Sequence, residues 1–354
     1  LAGCPPSEIL DFSASINPLG PPQSAIDAIE SHLHDLRAYP DPDYSQLRKV
    51  LGDRHNLPPD WILPGNGAAE LLTWAGRDLA SLDRTYLVTP AFSDYCRSLH
   101  AFDGAIDSVS IAPDLERETS GEQASRQHLI AHSSLPLFPP RYSATERRGL
   151  LLNNPHNPSG RLWHPEAILT QLSSFDVAIV DEAFMDFLPQ EQQYSLISQV
   201  QSHENLVVIR SLTKFYSIPG LRLGYAIGHP DRLRRWNNWR DPWSVNVLAA
   251  AVGMAVLGDR NFQQQTWDWL DCARTQLYDG LAQQPGLFPL ASAANFLLVR
   301  TEIPSSQLQQ TLLQRHQILI RDCLSFPELG DRYFRVAIRS LEENQRLLIG
   351  LGNW

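Results

Sequence analysis

Apolar residues along this chain form short unbroken runs, separated by longer segments in which they recur every three or four positions. Residues 85–89 (TYLVT), 150–152 (LLL), 177–180 (VAIV), 206–209 (LVVI) and 223–227 (LGYAI) read as buried strands. Residues 24–36, 44–55 and 68–80 carry helical spacing. Strands that are apolar on both faces and separated by helices indicate a mostly parallel sheet covered on both sides. Residues 111–148 are polar and rich in Ser, Arg and Glu, which predicts one weak helix and a long loop. Beyond residue 240 the pattern changes to long helices at 245–257 and 260–281, followed by strands at 296–300 and 333–338. Ser340, with Glu343 three places later, fits a capping box that opens a last helix. The expected organisation is an α/β large domain over residues 40–245. A smaller α/β C-terminal domain, residues 246–354, is completed by an N-terminal arm, residues 1–39.

Composition narrows function more than fold. With 43% hydrophobic and 19% charged residues the chain is globular, not disordered. A net charge of −10 argues against a nucleic-acid or anionic-membrane partner, because phosphate binding needs a basic face. No run of about 18 apolar residues is present, so no spanning helix is expected. Cys4, Cys96, Cys272 and Cys323 lie far apart without a CxxC pair. Neither a disulfide framework nor a metal site is suggested, and a reducing, cytoplasmic compartment is expected. Among 29 basic side chains only Lys49 and Lys214 are lysines. Chemistry that needs a primary amine therefore has two candidates.

In an open parallel sheet, ligands sit at the carboxyl ends of the strands. Asp181 follows the run VAIV and is either a helix N-cap or a functional carboxylate. The loop NNPHNPSG, residues 153–160, follows another strand and reads as a rigid turn or a ligand loop. Lys214 lies just beyond LVVI, with Ser211 and Thr213 before it and Arg222 after it. Two hydroxyls and a guanidinium suit a phosphate group. PGNGAAE, residues 64–70, places two glycines before a helix, where free amides also attract anions. A phosphate cradle, an amine, a carboxylate and an Asn loop at successive strand ends is the set that pyridoxal phosphate chemistry needs. The amine bonds the cofactor aldehyde and the carboxylate keeps the pyridine nitrogen protonated.

Over nearly its whole length the chain resembles fold-type I pyridoxal-phosphate enzymes of the aminotransferase class I/II family. That resemblance implies a large domain with a mostly parallel seven-stranded sheet, and a homodimer whose active site lies at the interface. It implies that Lys214 carries the cofactor, Asp181 pairs with the pyridine nitrogen, and Asn157 donates to the ring oxygen O3′. Ser211, Thr213, Arg222 and the backbone of Ala68 and Ala69 would hold the phosphate. Phe92, in PAFSDY, falls where a ring stacks on the cofactor. Tyr39, in AYPDP, matches a tyrosine that reaches the neighbouring subunit's cofactor phosphate. Arg335, in YFRVAIRS, matches the arginine that binds the substrate α-carboxylate, and Arg339 is a candidate for a substrate phosphate.

Two branches of the family compete. One transaminates histidinol phosphate with 2-oxoglutarate; the other decarboxylates L-threonine O-3-phosphate in cobalamin biosynthesis. The first typically reads DEAY, whereas this chain has DEAF and Phe184 brings no hydroxyl. DFSASINPLGPP, DEAFMDF and SLTKFYSIPGLRLGY look closer to the decarboxylase branch, although its upstream His-Gly-Gly segment is absent. Either way the substrate is a small phosphorylated amino compound. Ser211-Leu-Thr-Lys214 also matches the SxxK of serine hydrolases, but the required KTG element cannot be supplied, since the one other lysine, Lys49, lies in QLRKVLG. His128 and His132 in HLIAH read as a solvated helix face, since the glutamate of HExxH is missing. Trp236, Trp239 and Trp243 are expected in core or interface packing.

Overall fold

A computed structural model describes residues 5–120, 132–192 and 194–352. The chain opens with β1 (Leu10–Asp11), α1 (Gln23–His32) and α2 (Ser45–His55). Seven strands then build the central sheet: β2 (Ile62–Asn66), β3 (Arg84–Thr89), β4 (Ile106–Ser110), β5 (Arg148–Asn153), β6 (Val177–Asp181), β7 (Leu206–Ser211) and β8 (Leu223–Gly228). Their order is β2-β8-β7-β6-β5-β3-β4. The pairs from β7 to β4 are parallel, and β8 runs antiparallel to both its neighbours. Helices α3 (Gly67–Ala80), α4 (Ser93–His100), α5 (Ala112–Ser120), α6 (Pro165–Leu172) and α7 (Pro230–Asn237) intervene between or follow these strands.

The continuous apolar runs have a direct cause. Every residue of β5, β6, β7 and β8 is buried. Successive side chains point to opposite faces, and each face has its own core. Ala178, Val180 and Val208 join one cluster, whereas Val177, Ile179, Val207 and Ile209 join the other. Each such Val or Ile contributes about 1.5–3 kcal/mol of burial free energy, so both faces must be apolar for the sheet to persist.

The remaining elements are α8 (Val247–Leu257), α9 (Arg260–Ala282), β9 (Leu287–Pro289), β10 (Phe296–Thr301), α10 (Ser305–His316), β11 (Ile318–Leu319), β12 (Arg321–Asp322), β13 (Tyr333–Ala337) and α11 (Leu341–Gly352). Strands β12-β13-β10-β9 form an antiparallel sheet, and β11 pairs with β1, which ties the N-terminal arm to this unit. The Asn246 side chain accepts from the Ala249 N–H and so starts α8, a helix without a single polar residue. The capping box is present in both directions: Glu343 N–H donates to Ser340 Oγ and Ser340 N–H to Glu343 Oε2. Among the described residues, no helix is long and apolar enough to cross a membrane.

Several elements depart from the sequence expectation. β2 contains Pro64 and Gly65 and was expected only as a glycine turn before α3; it is an edge strand, where a missing N–H is tolerated. β4 is the opposite edge and only partly buried, so it has no apolar run. The helix expected over 24–36 stops at His32 and continues as a 3₁₀ turn, Leu33–Arg37. His132 forms a backbone bridge with Trp163 and is not helical, which corrects the helix-face reading; His128 lies outside the described residues. Trp236 is fully buried, but Trp243 is exposed and its ring packs 4.5 Å from that of Tyr39.

Candidate active site

The carboxyl ends of the central strands bring the polar groups together. Asn153, last in β5, is in register with Asp181, last in β6, and Ser211 ends β7. No α-helix starts at Asp181; its side chain is buried, and a 3₁₀ turn, Met185–Phe187, follows. Asp181 Oδ1 accepts from the Ala183 N–H at 2.9 Å and Oδ2 from the Tyr95 hydroxyl at 2.8 Å. Burial raises the Asp181 pKa, while the Lys214 charge and these two bonds pull it down. The adjacent Glu182 faces the other way. It receives Arg210 Nε at 3.0 Å, and Asp186 takes the same guanidinium at 2.7 Å, so this buried charge set is closed on itself.

Lys214 is partly buried, with Nζ 4.9 Å from the centre of the Phe184 ring and without a hydrogen-bond acceptor among the described residues. Burial lowers its pKa; Asp181 opposes that effect, and Arg222 and Arg335 reinforce it. A desolvated amine near a single carboxylate is primed to be a nucleophile and a proton carrier. Lys49 contrasts with it: exposed, and paired with Asp53 at 2.8 Å on α2.

An anion cradle lies at the junction of β2, β8 and β7. Gly67 has φ +76°, and a Cβ there would stand 2.6 Å from Arg222 Nη2. A Cβ on Gly224 would meet the Ala68 nitrogen at 2.7 Å. These two glycines let the amide end of α3 and the Arg222 guanidinium close on one point. The Ser211 and Thr213 hydroxyls are 2.8 Å apart beside it. Arg222 donates to the Pro219 carbonyl and makes no ion pair among the described residues.

Arg335, on β13, is partly buried without a carboxylate partner among the described residues. Its Nη1 donates to Asn157 Oδ1 at 2.6 Å and its Nη2 to the Ser13 carbonyl at 3.1 Å, while Nε has no acceptor. Burial pushes its pKa down to about 10. The bond to Arg335 orients Asn157, whose amide nitrogen has no acceptor among the described residues. The Arg335 guanidinium also stands over Phe296, whose ring meets Phe184 edge-on at 5.0 Å. The N-terminal arm crosses this region, since Asn17 N–H donates to the Lys214 carbonyl.

The structure thus places Asp181, Ser211, Thr213, Lys214, Asn157, Arg222 and the Ala68–Ala69 backbone at or just beyond neighbouring ends of the central strands, and Arg335 reaches Asn157 from the middle of β13. Phe92 caps α4 and meets Tyr95 edge-on, on the Asp181 side of the site. Tyr39 is not gathered with them; it is 79% exposed. Arg339 donates to the Asp11 carbonyl and pairs with Glu343 at 2.8 Å, so its charge already has a partner. Two residues were missed in the sequence reading. Tyr95 has a visible signal, three places after Phe92 on one helical turn. Arg321 has none, because β12 is two residues long; it lies opposite Arg335 in register, exposed and without an ion pair among the described residues.

A model of the aminotransferase class I and II family matches residues 7–351. The chain belongs to this family. Among aminotransferase-family relatives, it is 40% identical to the threonine-phosphate decarboxylase of Salmonella typhimurium, over 99% of this chain and 92% of that protein. It is 29% identical to the histidinol-phosphate aminotransferase of Methanothermobacter thermautotrophicus, over 99% of this chain and 90% of that one. The crystal structure of L-threonine-O-3-phosphate decarboxylase from Porphyromonas gingivalis shares the fold, with a TM-score of 0.81 over 98% of this chain and 99% of that one at 22% identity.

The cofactor of the family is pyridoxal 5′-phosphate, and the residues present fit it. The cradle that a Cβ would fill, with Arg222 outside any ion pair and the Lys214 amine without a hydrogen-bond acceptor among the described residues, near buried Asp181, would supply an anion site, a nucleophile and a counter-charge in that order along the sheet.

Proposed function

We propose that this chain decarboxylates L-threonine O-3-phosphate to (R)-1-amino-2-propanol O-2-phosphate, a step of cobalamin biosynthesis, with pyridoxal 5′-phosphate at Lys214. The observation that carries this reading is the Arg321–Arg335 pair: two guanidiniums opposed across β12 and β13, neither with a carboxylate partner among the described residues. Threonine phosphate brings two anions, a carboxylate and a phosphate. Histidinol phosphate brings a phosphate and no carboxylate. The likeness to the threonine-phosphate decarboxylase over the full chain supports the same choice.

Bound pyridoxal phosphate supplies an electron sink for whichever substrate Cα bond stands perpendicular to its ring. Ser211, Thr213, Arg222 and the amides of Ala68 and Ala69 would hold the cofactor phosphate, the Phe92 ring would pack against the cofactor, and Asp181 would supply the counter-charge to its ring nitrogen. Asn157, aligned by Arg335, donates from its amide nitrogen. Arg335 would take the substrate carboxylate and Arg321 its phosphate, and two anchored anions would fix how the substrate is oriented. When the bond from Cα to the carboxylate breaks, CO2 leaves and Cα gains one proton, which Lys214 Nζ delivers. Arg339 serves as scaffold for the arm. Residues 40–245 act as the cofactor-holding unit, and residues 1–39 with 246–354 as the unit that presents Arg321 and Arg335.

The working form is a homodimer in which Tyr39 reaches the neighbouring subunit's cofactor phosphate; the exposed Tyr39–Trp243 pair supports this reading. Mixing the separately inactive Lys214→Ala and Tyr39→Ala forms then restores one intact site per mixed dimer, at about a quarter of wild-type activity. No recovery would refute the shared site. The reaction is tested by supplying each substrate and following CO2 release against glutamate formation. CO2 from threonine phosphate without a 2-oxoglutarate requirement is expected; glutamate formation alone indicates the histidinol-phosphate aminotransferase reaction instead.

A further inference from the structure

Tyr95 stands between the two groups that meet the cofactor ring. It lies in the first turn of α4, three residues after Phe92, so the two side chains share a helix face. Their rings meet edge-on with centres 5.8 Å apart. The Tyr95 side chain is buried, and its hydroxyl donates to Asp181 Oδ2 at 2.8 Å. Among the described residues this is the one side-chain hydrogen bond Asp181 receives; the Ala183 N–H holds the other oxygen. With both oxygens gripped, the carboxylate plane is fixed. Burial and the neighbouring Asp181 charge push the Tyr95 pKa well above that of an ordinary phenol, so the hydroxyl stays a donor throughout the working pH range.

We propose that Tyr95 is a positioning residue that acts through Asp181, its hydroxyl holding the carboxylate in the orientation that faces the ring nitrogen of bound pyridoxal phosphate. A single turn of α4 therefore sets both the stacking ring and the counter-charge. The inference rests on the assignment of Asp181 and the cofactor above, but not on which substrate bond breaks.

The test is a double-mutant cycle on cofactor affinity. Pyridoxal phosphate dissociation constants are measured by equilibrium dialysis for wild type, Tyr95→Phe, Asp181→Asn and the double variant. Loss of a hydrogen bond to a charged group is expected to weaken binding roughly tenfold in Tyr95→Phe, and to shift the pH midpoint of the bound cofactor's absorbance. In the Asp181→Asn background the same change is expected to alter affinity by less than about twofold. Tyr95→His, which retains a ring N–H donor, is expected to fall between wild type and Tyr95→Phe. An equal loss in both backgrounds, or no loss in Tyr95→Phe, overturns the inference and leaves Tyr95 as packing. Should wild type bind the cofactor yet release no CO2, the decarboxylase reading falls and this inference does not. Should wild type bind no cofactor, both fall.

Discussion

Two cations define the site because of what they lack. Lys214 has an aromatic ring and one carboxylate nearby, and its burial depresses the amine; Lys49 is exposed and paired with an exposed aspartate. Arg335 has carbonyl-type acceptors, and Arg339 has Glu343. The same logic separates the two candidates for the substrate phosphate. Arg321→Gln is expected to raise KM for threonine phosphate roughly ten- to a hundredfold, the value of charged hydrogen bonds lost from one anion. Arg339→Gln is expected to leave KM near wild type. Steady-state kinetics on both variants checks this; the opposite ranking returns the phosphate to Arg339. Lys214 and Asp181 were legible in the sequence because each follows a four-residue apolar run, and only two lysines compete. Arg321 was not legible, since two residues of strand have no periodicity; only the register against β13 shows which way it lies.

At the scale of elements, the buried strands announced themselves and the edge strands did not. β5 to β8 have apolar side chains on both faces because helices cover both, so their composition alone locates them. β2 carries Pro64 and Gly65, which break any such run, yet it delivers Gly67 to the cradle directly after its last residue. A side chain at that turn would disturb the proposed phosphate site. Gly67→Ala introduces a Cβ 2.6 Å from Arg222 Nη2 at a φ of +76°, so Arg222 must move. The left-handed conformation itself costs an L-residue about 1–2 kcal/mol. Thermal unfolding is expected to show that modest loss, and dialysis a cofactor affinity lower by roughly tenfold or more, as for a lost charged hydrogen bond. Unchanged affinity would mean that the cofactor phosphate sits elsewhere.

For the whole molecule, an acidic chain of net charge −10 would meet the proposed dianionic substrate with arginines drawn from two sheets. Arg222 belongs to the central sheet, Arg321 and Arg335 to the antiparallel sheet, and the N-terminal arm links them. Its Ser13 carbonyl accepts from Arg335 and its Asn17 N–H donates to Lys214. The sequence pattern could show strands of both sheets, but not this crossing, because the arm is irregular and its contacts lie more than 190 positions away. The arrangement suits a substrate that carries both a carboxylate and a phosphate, and in the proposed reaction the bond between Cα and that carboxylate is the one that breaks. The direct measurement uses carboxyl-carbon-13 L-threonine O-3-phosphate with the pyridoxal-phosphate-loaded enzyme in heavy water, without any 2-oxo acid. The account predicts one labelled CO2 per substrate consumed, and an amino-alcohol phosphate with one deuterium at the former Cα. Label retained in an organic acid, or turnover that waits for 2-oxoglutarate and yields glutamate, would contradict it.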